Sequence, residues 1–422
     1  MKLKLAYGLS GLTINLPDNC DIIAPRFIPE LPRIKERLLH SLRQPISSQP
    51  LHRLVKKEDK VVIVHTDITR ATPNKLILPI ILNELEQIGI PQSQITLING
   101  LGTHRKQNHS EMIELLGKKI VENYQCLQHD PDNQQFLKPV RTEGGNQALI
   151  HRVYLDADVR ILTGFIEPHF FAGFSGGPKS VLPAIAGTEA IHHNHSSRML
   201  SDPQATWGIT RGNPVWENML DIAQATRPTF ILNVALNSDH QITGVFAGDL
   251  EQAHQQGCQF VKDNAMIKVN EPYDIVITSN SGYPLDQNLY QSVKGISTAD
   301  QITKNGGTII IATACCDGLP ESGNYSRLLA SSSSPTSLLE KLSVSKQVIQ
   351  EQWQVIKQLK VQYRADVFVY SDGLSDEQIS QCFLLPCHDI EKTVSTLLNK
   401  YGSKTRICAL PQGPQTIPYL DY

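Results

Sequence analysis

The feature that most constrains this chain is a series of short apolar runs, rich in β-branched residues, that alternate with longer segments of helical periodicity. A strand that is apolar throughout is buried on both faces, as in a parallel sheet covered by helices. The runs that fit this description are residues 61–64, 95–98, 159–162, 230–232, 275–277, 308–311, 367–369 and 406–409. We therefore expect an α/β fold with largely parallel sheets.

Helical patterns fill the intervals between these runs. Apolar residues recur at three- and four-residue steps in segments 75–88, 250–262 and 346–359. Asn74 is placed to cap the first of these helices, and Ser110 with Glu111 begins a further short helix.

A chain of 422 residues is long enough for two or three domains. A polar stretch at 264–273 follows a helical pattern and precedes a strand, so it predicts a boundary; a weaker one lies at 401–404. We expect an N-terminal α/β domain of residues 1–265, joined by the C-terminal tail 405–422. Residues 266–404 then form a second α/β domain, with an active-site cleft between the two domains.

Composition excludes several classes of function. A formal net charge of −2 provides no basic field for a nucleic acid, so no nucleic-acid partner is expected. The N-terminus lacks a signal-peptide pattern and the apolar runs are too short to span a membrane, so a cytoplasmic location is expected. The eight cysteines form no C-x-x-C pair, which indicates free thiols in a reducing compartment.

Segment 167–180, which follows the strand at 159–162, is the richest in chemical signals. Gly173, Gly176 and Gly177 permit a positive φ and the close approach of a ligand. Backbone N–H groups of such a loop, with Lys179 as a cation, can cradle a phosphate. The segment matches neither the Walker A nor the G-x-G-x-x-G motif. A tight strand-to-helix turn with a solvated lysine is the alternative interpretation.

Three of the 14 histidines lie directly after expected strands or close to the glycine-rich loop: His104, His169 and His195. The carboxyl ends of strands in α/β sheets face the ligand crevice, so we expect His104, His169, the glycine-rich loop and segment 67–70 to converge. Histidine suits proton transfer, and two histidines on opposite faces of a carbon would racemise it. A purely structural role is the alternative for any one of them.

Further candidates carry hydrogen-bond donors. Arg70 offers a planar fork to a carboxylate or phosphate, while Asp67 either orients it, holds a ligand hydroxyl or forms a local ion pair. Gln291 and Lys294 share one face of a helix and suit an acidic small molecule, unless this is an ordinary amphipathic helix. Trp353 lies in a helical pattern, where most aromatic residues belong to the core.

Taken together, these motifs resemble the lactate racemase family that depends on a nickel-pincer nucleotide. The resemblance spans nearly the whole chain, through segments 67–70, 102–105, 168–180, 194–195 and 291–294 and the proline-rich tail. It implies racemisation or epimerisation at C2 of lactate or a similar small 2-hydroxyacid by hydride transfer. It also implies cofactor-synthesis enzymes as partners.

The resemblance implies a role for each candidate. Lys179 is joined to the pyridinium cofactor through a thioamide bond, and His195 is the protein ligand of nickel(II), beside two sulfurs and a ring carbon of the cofactor. His104 and His169 form the acid/base pair. Other cofactor contacts are implied for Asp67, Thr69, Gly173, Ser175, Gly176, Gly177 and Pro178. Substrate contacts are implied for Arg70, Tyr290, Gln291, Lys294 and Trp353. His192 and His193 receive no role.

Two other functions remain open at this stage. The first is a zinc or iron hydrolase that uses His104, His169 and His195 as direct ligands and Glu167 as a base, which leaves Lys179 without a necessary role. The second is a non-catalytic binding protein for a phosphorylated metabolite.

Overall fold

The structure is a computed structural model that describes residues 1–320, 323–345 and 347–420. The chain divides into two compact units. The first unit contains residues 27–194 and 204–262, and the second contains residues 1–26, 195–203 and the chain from 263 onward. Within the described ranges, every helix is too short or too polar to cross a membrane.

The strands are numbered in chain order. They are β1 (Lys2–Leu5), β2 (Leu12–Asn15), β3 (Asp21–Ile22), β4 (Val61–Thr66), β5 (Ile95–Gly100), β6 (Gln125–Gln128), β7 (Leu137–Arg141), β8 (Gln147–His151), β9 (Val159–Phe165), β10 (Pro168–His169), β11 (Gly173–Phe174), β12 (Phe230–Leu236), β13 (Ile242–Gly248), β14 (Met266–Val269), β15 (Tyr273–Ser279), β16 (Thr303–Ala312), β17 (Asp366–Tyr370), β18 (Leu385–Pro386), β19 (Ile407–Leu410) and β20 (Ile417–Leu420).

The α-helices are numbered in the same way. They are α1 (Ile34–Arg43), α2 (Leu51–Leu54), α3 (Asn74–Ile88), α4 (His109–Leu116), α5 (Lys118–Asn123), α6 (Arg152–Leu155), α7 (Thr188–Asn194), α8 (Ser197–Ser201), α9 (Pro214–Ala225), α10 (Leu250–Ala265), α11 (Leu289–Asp300), α12 (Tyr325–Ala330), α13 (Pro335–Val344), α14 (Gln352–Gln362), α15 (Asp376–Gln381) and α16 (Ile390–Tyr401).

The first unit is built on a six-stranded sheet in the order β13-β12-β9-β4-β5-β6. All neighbouring strands are parallel except β13, which pairs antiparallel with β12 at one edge. The first five residues of the central strand β4 are buried, and helices α1, α3 and α4 contribute to the apolar cluster that covers it. Each fully buried aliphatic side chain of this cluster contributes about 1.5–3 kcal/mol.

The second unit contains another six-stranded sheet, in the order β18-β17-β16-β15-β19-β3, and every pair in it is parallel. All eight runs expected from the sequence lie in or overlap strands of the two sheets. The expectation of an α/β fold with largely parallel sheets is therefore confirmed.

Two local expectations about helix starts are wrong. Asn74 lies inside α3, where its amide donates to the Thr66 carbonyl at 3.3 Å, and Pro73 occupies the cap position. The helix expected at 346–359 begins only at Gln352, because Glu351 has a positive φ of 73°. Its expected first residue, Lys346, lies outside the described residues.

The compact units differ from the expected domains in three places. Residues 1–26, segment 195–203 and the tail after residue 404 all belong to the second unit. Strand pairing gives the reason for the first and the last of these, since β3 and β19 are neighbours in the second sheet and β20 pairs in parallel with β14. The tail therefore completes the second unit rather than the first.

The tail packs closely against the carboxyl end of β15. The Ser279 hydroxyl donates to the Pro411 carbonyl at 3.0 Å, and the Ser281 hydroxyl donates to the Gln412 carbonyl at 2.7 Å. Gly413 has a φ of 51°, and a Cβ at this position would overlap the Ser279 carbonyl oxygen. Glycine is therefore required here both by backbone conformation and by packing.

We expect Gly413→Ala to lower the melting temperature of the protein by more than the left-handed conformation alone explains. Gly306→Ala is the matched control, because Gly306 has a φ of 76° and no atom lies within 4 Å of the place that an added methyl group would take. The control should cost about 1–2 kcal/mol, and Gly413→Ala should cost a further ~1–3 kcal/mol from overpacking. If both variants lose the same free energy of unfolding, close packing of the tail against β15 does not add to the cost of Gly413→Ala.

Candidate active site

The candidate site of the first unit lies where three neighbouring parallel strands end. Chain segments leave β4, β5 and β9 at the same edge of the sheet because these strands are parallel. The segments also touch one another: the Gly102 N–H, after β5, donates to the carbonyl of Ala184, after the glycine-rich loop, at 2.9 Å. The segments that follow β4, β5 and β9 therefore lie at one edge of the sheet, where the strand-end motifs were expected to meet.

Asp67 and His104 form the closest polar contact of this edge. Nδ1 of His104 lies 2.5 Å from Oδ2 of Asp67, whose side chain is 2% exposed. The Thr69 hydroxyl donates to Oδ1 of Asp67 at 2.8 Å. Burial raises the pKa of Asp67, but hydrogen bonds from His104 and Thr69 and the charges of His104 and Arg70 outweigh it, so the pKa is lowered.

An ionised Asp67 can only accept a hydrogen bond, so Nδ1 of His104 carries a proton and Nε2 is the nitrogen left for exchange. The His104 side chain remains 44% exposed, which leaves the ring open to a ligand. A tight turn places it there: Gly102 has a φ of 55° and the His104 N–H donates to the Leu101 carbonyl at 2.9 Å. Asp67 thus contacts His104 and Thr69 directly, while Arg70 acts on it through its charge.

His169 is hydrogen-bonded in the opposite way to His104, because its Nδ1 accepts a hydrogen bond instead of donating one. It ends β10, which pairs antiparallel with β11 in a two-residue ladder. The Ala172 N–H donates to Nδ1 of His169 at 3.2 Å, so in the neutral ring the proton lies on Nε2. The imidazole also packs edge-on against the ring of Phe171, with centroids 4.5 Å apart.

Lys179 follows in a short 3₁₀ turn, Gly177–Ser180, that contacts β4 and β9. The turn is anchored on both sides of the lysine, since Pro178 and Ser180 are buried. The Lys179 ammonium lies 5.6 Å from the centroid of the Phe171 ring, a cation–π distance. Phe171 therefore contacts both His169 and Lys179, so these two candidate residues pack against the same aromatic side chain.

The glycines of the loop are explained by packing within the first unit. Gly177 has a φ of 51°, a Cβ there would come within 2.5 Å of the His254 ring, and its N–H donates to Oδ1 of Asn233 at 2.7 Å. A Cβ on Gly173 would overlap the main chain of Ile209. The Ser175 hydroxyl is likewise engaged, donating to the Phe165 carbonyl at 2.8 Å. These contacts within the first unit fix the shape of the loop.

Sequence analysis did not identify the buried residues that pack against this loop. Nε2 of His254 lies 2.9 Å from the Ser175 carbonyl, and the ring stacks on Trp216 at an interplanar angle of 12°. Burial lowers the pKa of His254 to about 4, so the ring is neutral near pH 7. A signal did exist for Asn233, which is a polar residue in the middle of the apolar strand β12.

In the second unit, Gln291 and Lys294 lie in the first two turns of α11, as expected from their spacing. The side chain of Asn288 caps this helix by accepting the Gln291 N–H at 3.0 Å. Gly295 allows α11 to approach β15, because a Cβ there would overlap the Ser279 carbonyl. Both donor side chains are partly exposed.

His195 and Trp353 are also brought together in the second unit. His195 is 5% exposed, and its ring lies 5.3 Å from the Trp353 ring at an interplanar angle of 72°. The Trp353 indole N–H donates to the Tyr290 hydroxyl at 3.3 Å. His192 and His193, by contrast, lie on α7 in the first unit and take part in neither cluster.

Among the residues that the structure describes, no group of three or more His, Cys, Asp or Glu side chains is arranged to hold a metal ion.

The fold and the site define an α/β protein with two histidines and a lysine at the carboxyl edge of a parallel sheet. Comparison with known families is specific. The family profile of the lactate racemase N-terminal domain matches residues 7–208, and that of the lactate racemase C-terminal domain matches residues 268–417. The chain belongs to the lactate racemase family, whose members are isomerases.

Individual relatives agree with this assignment. The lactate racemase of Thermoanaerobacterium thermosaccharolyticum is 34% identical over 422 residues, which cover 98% of each chain. The lactate racemase of Lactiplantibacillus plantarum is 35% identical over 384 residues, covering 90% of this chain and 89% of the relative.

Solved structures extend the likeness to three dimensions. The lactate racemase apoprotein of T. thermosaccharolyticum superposes with a TM-score of 0.92 at 32% identity, covering 99% of this chain and 100% of that one. A Thermotoga maritima protein superposes with a TM-score of 0.67 at 17% identity over 94% of this chain and 100% of that one, which shows a shared fold alone.

We expect Gly177→Ala to destabilise the protein chiefly through its collision with His254. The variant should lower the melting temperature by roughly 5 °C or more, since it combines a left-handed alanine with overpacking. In a His254→Ala background the ring is gone, so the same change should cost distinctly less in a double-mutant cycle.

Gly212→Ala serves as the control for this cycle, because Gly212 has a φ of 81° and open space around the added methyl group. Its cost should be the same with and without His254. An equal cost of Gly177→Ala in both backgrounds would contradict the packing explanation.

Proposed function

We propose that this protein racemises or epimerises lactate or a similar small 2-hydroxyacid at C2, by reversible removal and return of hydride. The observation that carries the proposal is the Asp67–His104 pair, 2.5 Å apart, at the edge of the sheet where His169 and Lys179 also lie. Among the functions left open by the sequence, membership in a family of isomerases favours racemisation over a metal hydrolase or a binding protein.

His104 is proposed to exchange the proton of the substrate hydroxyl at Nε2. Asp67 holds Nδ1 and fixes the orientation of the ring, and its negative charge stabilises the imidazolium that forms when the proton arrives. The exposed part of the His104 ring leaves room for a hydroxyl to reach it.

His169 is proposed to exchange the same proton for the opposite enantiomer. Because the Ala172 N–H donates to Nδ1, the neutral ring presents an N–H at Nε2. To accept a proton at Nε2 as well as to release one, His169 must lose this hydrogen bond and carry a proton on Nδ1. Proton transfer through His169 is therefore coupled to a movement of the Ala172 main chain or of the ring.

Three donor side chains are proposed as substrate contacts. Arg70 is proposed to bind the substrate carboxylate with its planar guanidinium. Gln291 and Lys294 of α11 are proposed as further donors to the acidic substrate. Tyr290 and Trp353 are proposed to shape the pocket for a small side chain.

The family implies a nickel-dependent cofactor, and the residues of this chain fit a nickel-pincer nucleotide. Lys179 offers a primary amine for a thioamide bond, and His195 offers an imidazole as the protein's one nickel donor, with the cofactor supplying sulfur and carbon donors. When bound, the pyridinium ring of this cofactor would take up hydride from C2 and return it. Soft sulfur donors with imidazole are a set that nickel(II) accepts.

The glycine-rich loop is proposed to contact the cofactor chiefly through its shape. Its members assigned to cofactor contacts are Gly173, Ser175, Gly176, Gly177 and Pro178, with Asp67 and Thr69 beside them. Because the Gly177 N–H and the Ser175 hydroxyl already have partners within the unit, the surface of the loop rather than these groups would meet the cofactor.

The test of the cofactor assignment is intact-mass spectrometry with nickel analysis on protein made alongside cofactor-synthesis enzymes. We expect a nickel-bearing adduct that peptide mapping places on Lys179. Lys179→Ala should lose both the adduct and the nickel, whereas Lys75→Ala, which removes an exposed lysine of α3, should keep them. Retention of nickel in Lys179→Ala would instead support direct histidine ligation and a hydrolase.

The acid/base assignment predicts that His104→Ala and His169→Ala each abolish racemisation while the adduct on Lys179 remains. His193→Ala is the matched control, because His193 is exposed and lies on α7 outside both clusters. It should racemise at the wild-type rate. The assay is the loss of optical rotation of one lactate enantiomer; full activity in either site variant would remove that residue from the mechanism.

We expect Asp67→Asn to lower kcat at least about 100-fold with little change in KM, because the asparagine NH₂ can donate to Nδ1 and favour the wrong tautomer of His104. Asp130→Asn, at a surface pair with Lys106, is the control and should be neutral. Cofactor loading is measured in parallel by mass. A fully loaded Asp67→Asn enzyme with wild-type kcat would show that Asp67 does not orient the ring.

A further inference from the structure

The nine residues 195–203 interrupt the first unit along the chain. The chain on both sides of this segment, 27–194 and 204–262, belongs to the first unit, yet the segment itself groups with the second. It begins with His195 and contains the short helix α8. His195 therefore groups with the second unit although the residue before it belongs to the first.

The amino-terminal end of α8 is fixed by buried polar contacts. The Ser197 hydroxyl, 4% exposed, donates to the Leu342 carbonyl of α13 at 2.7 Å. The side-chain amide of Gln352, the first residue of α14, lies 3.4 Å from the same hydroxyl oxygen. These contacts hold the residue that lies two positions after His195.

The carboxyl-terminal end of α8 is fixed by a lysine of the same supporting helix. Nζ of Lys360, on α14, donates to the carbonyl of Leu200 at 2.8 Å and to that of Ser201 at 3.1 Å. The last carbonyls of a helix have no partner within the helix, and a lysine is a favourable one. Helix α14 thus holds α8 at both ends.

Trp353, also on α14, contacts the His195 ring itself, edge to face at 5.3 Å. Its own position is fixed through Tyr290, which accepts the indole N–H at 3.3 Å. The Gln354 amide donates to the Tyr290 carbonyl at 2.6 Å, and the Tyr325 ring packs perpendicular to the Tyr290 ring. The position of the indole is therefore fixed by contacts that do not involve the imidazole.

We propose that Trp353 is a positioning residue for His195, and that α14 orients this imidazole before any metal arrives. The proposal rests on the proposed function, because it takes His195 as the nickel ligand. A ligand side chain whose rotamer is already fixed by packing loses less freedom when it binds, so it binds more tightly. Through Tyr290, Trp353 also links His195 to α11, the helix that carries Gln291 and Lys294.

The first arm of the test needs no cofactor. The apo protein is labelled with ¹³C at the histidine Cε1 position, and the His195 signal is identified by its loss in His195→Gln. We expect one sharp signal displaced by the ring current of Trp353. Trp353→Phe, which keeps a ring, should retain part of the displacement, and Trp353→Met should abolish it. An undisplaced or broad His195 signal in the wild-type apo protein overturns the proposal.

The second arm measures how fast nickel leaves the loaded enzyme for a chromogenic chelator. Loss of an aromatic pair predicts that Trp353→Met releases nickel roughly 2- to 10-fold faster, with Trp353→Phe close to wild type. Tyr325→Phe is the control for general loosening of α14, since it removes only the hydroxyl bonded to Gln358. It should release nickel at the wild-type rate.

The outcomes separate the proposal from the function on which it rests. Unchanged nickel release in Trp353→Met together with a raised KM would mean that Trp353 only shapes the substrate pocket, and the positioning role would be rejected. Wild-type protein that takes up no nickel would reject the cofactor assignment, while the apo signal would still decide whether Trp353 orients His195. If Trp353→Met does not fold, the wild-type and Trp353→Phe spectra decide the question.

Discussion

The parallel pairing of β4 with both β5 and β9 is the constraint on which the first site depends. It sends three chain segments out of the sheet at one edge, so that Asp67 and His104, 37 residues apart in sequence, come within 2.5 Å. Because the first five residues of β4 are buried, this strand lies inside the sheet with a parallel neighbour on each side. The interior position of one strand thereby brings the two side chains of the proposed proton-transfer pair together.

Sequence reasoning predicts the parts of this arrangement that local pattern controls. The strands were predictable because an unbroken apolar run has few alternatives, and strand-end placement follows from parallel sheets in general. The bond between Asp67 and His104 was not predictable, since it depends on which strands are neighbours. Strand order is a property of the whole sheet, and no local pattern encodes it.

The glycine-rich loop shows a different limit of sequence reasoning. Glycines beside a lysine suggest the approach of a ligand, yet Gly177 is required by the ring of His254 and Gly173 by the main chain of Ile209. Both partners lie far along the chain, so the motif alone does not distinguish packing from binding. The two explanations are compatible, because a loop packed tightly from below presents a fixed surface to whatever lies above it.

Segment 195–203 is one place where the compact units depart from the expected domains. A short helix such as α8 has little stability alone, so its partners decide where it belongs, and these are α13 and α14. The proposed nickel ligand and the proposed covalent anchor, Lys179, consequently belong to different compact units. The lysine turn packs on His254 and Asn233 of its own unit, whereas His195 packs on Trp353 of the second unit. Each of the two proposed cofactor contacts therefore has its orientation set by packing within one unit.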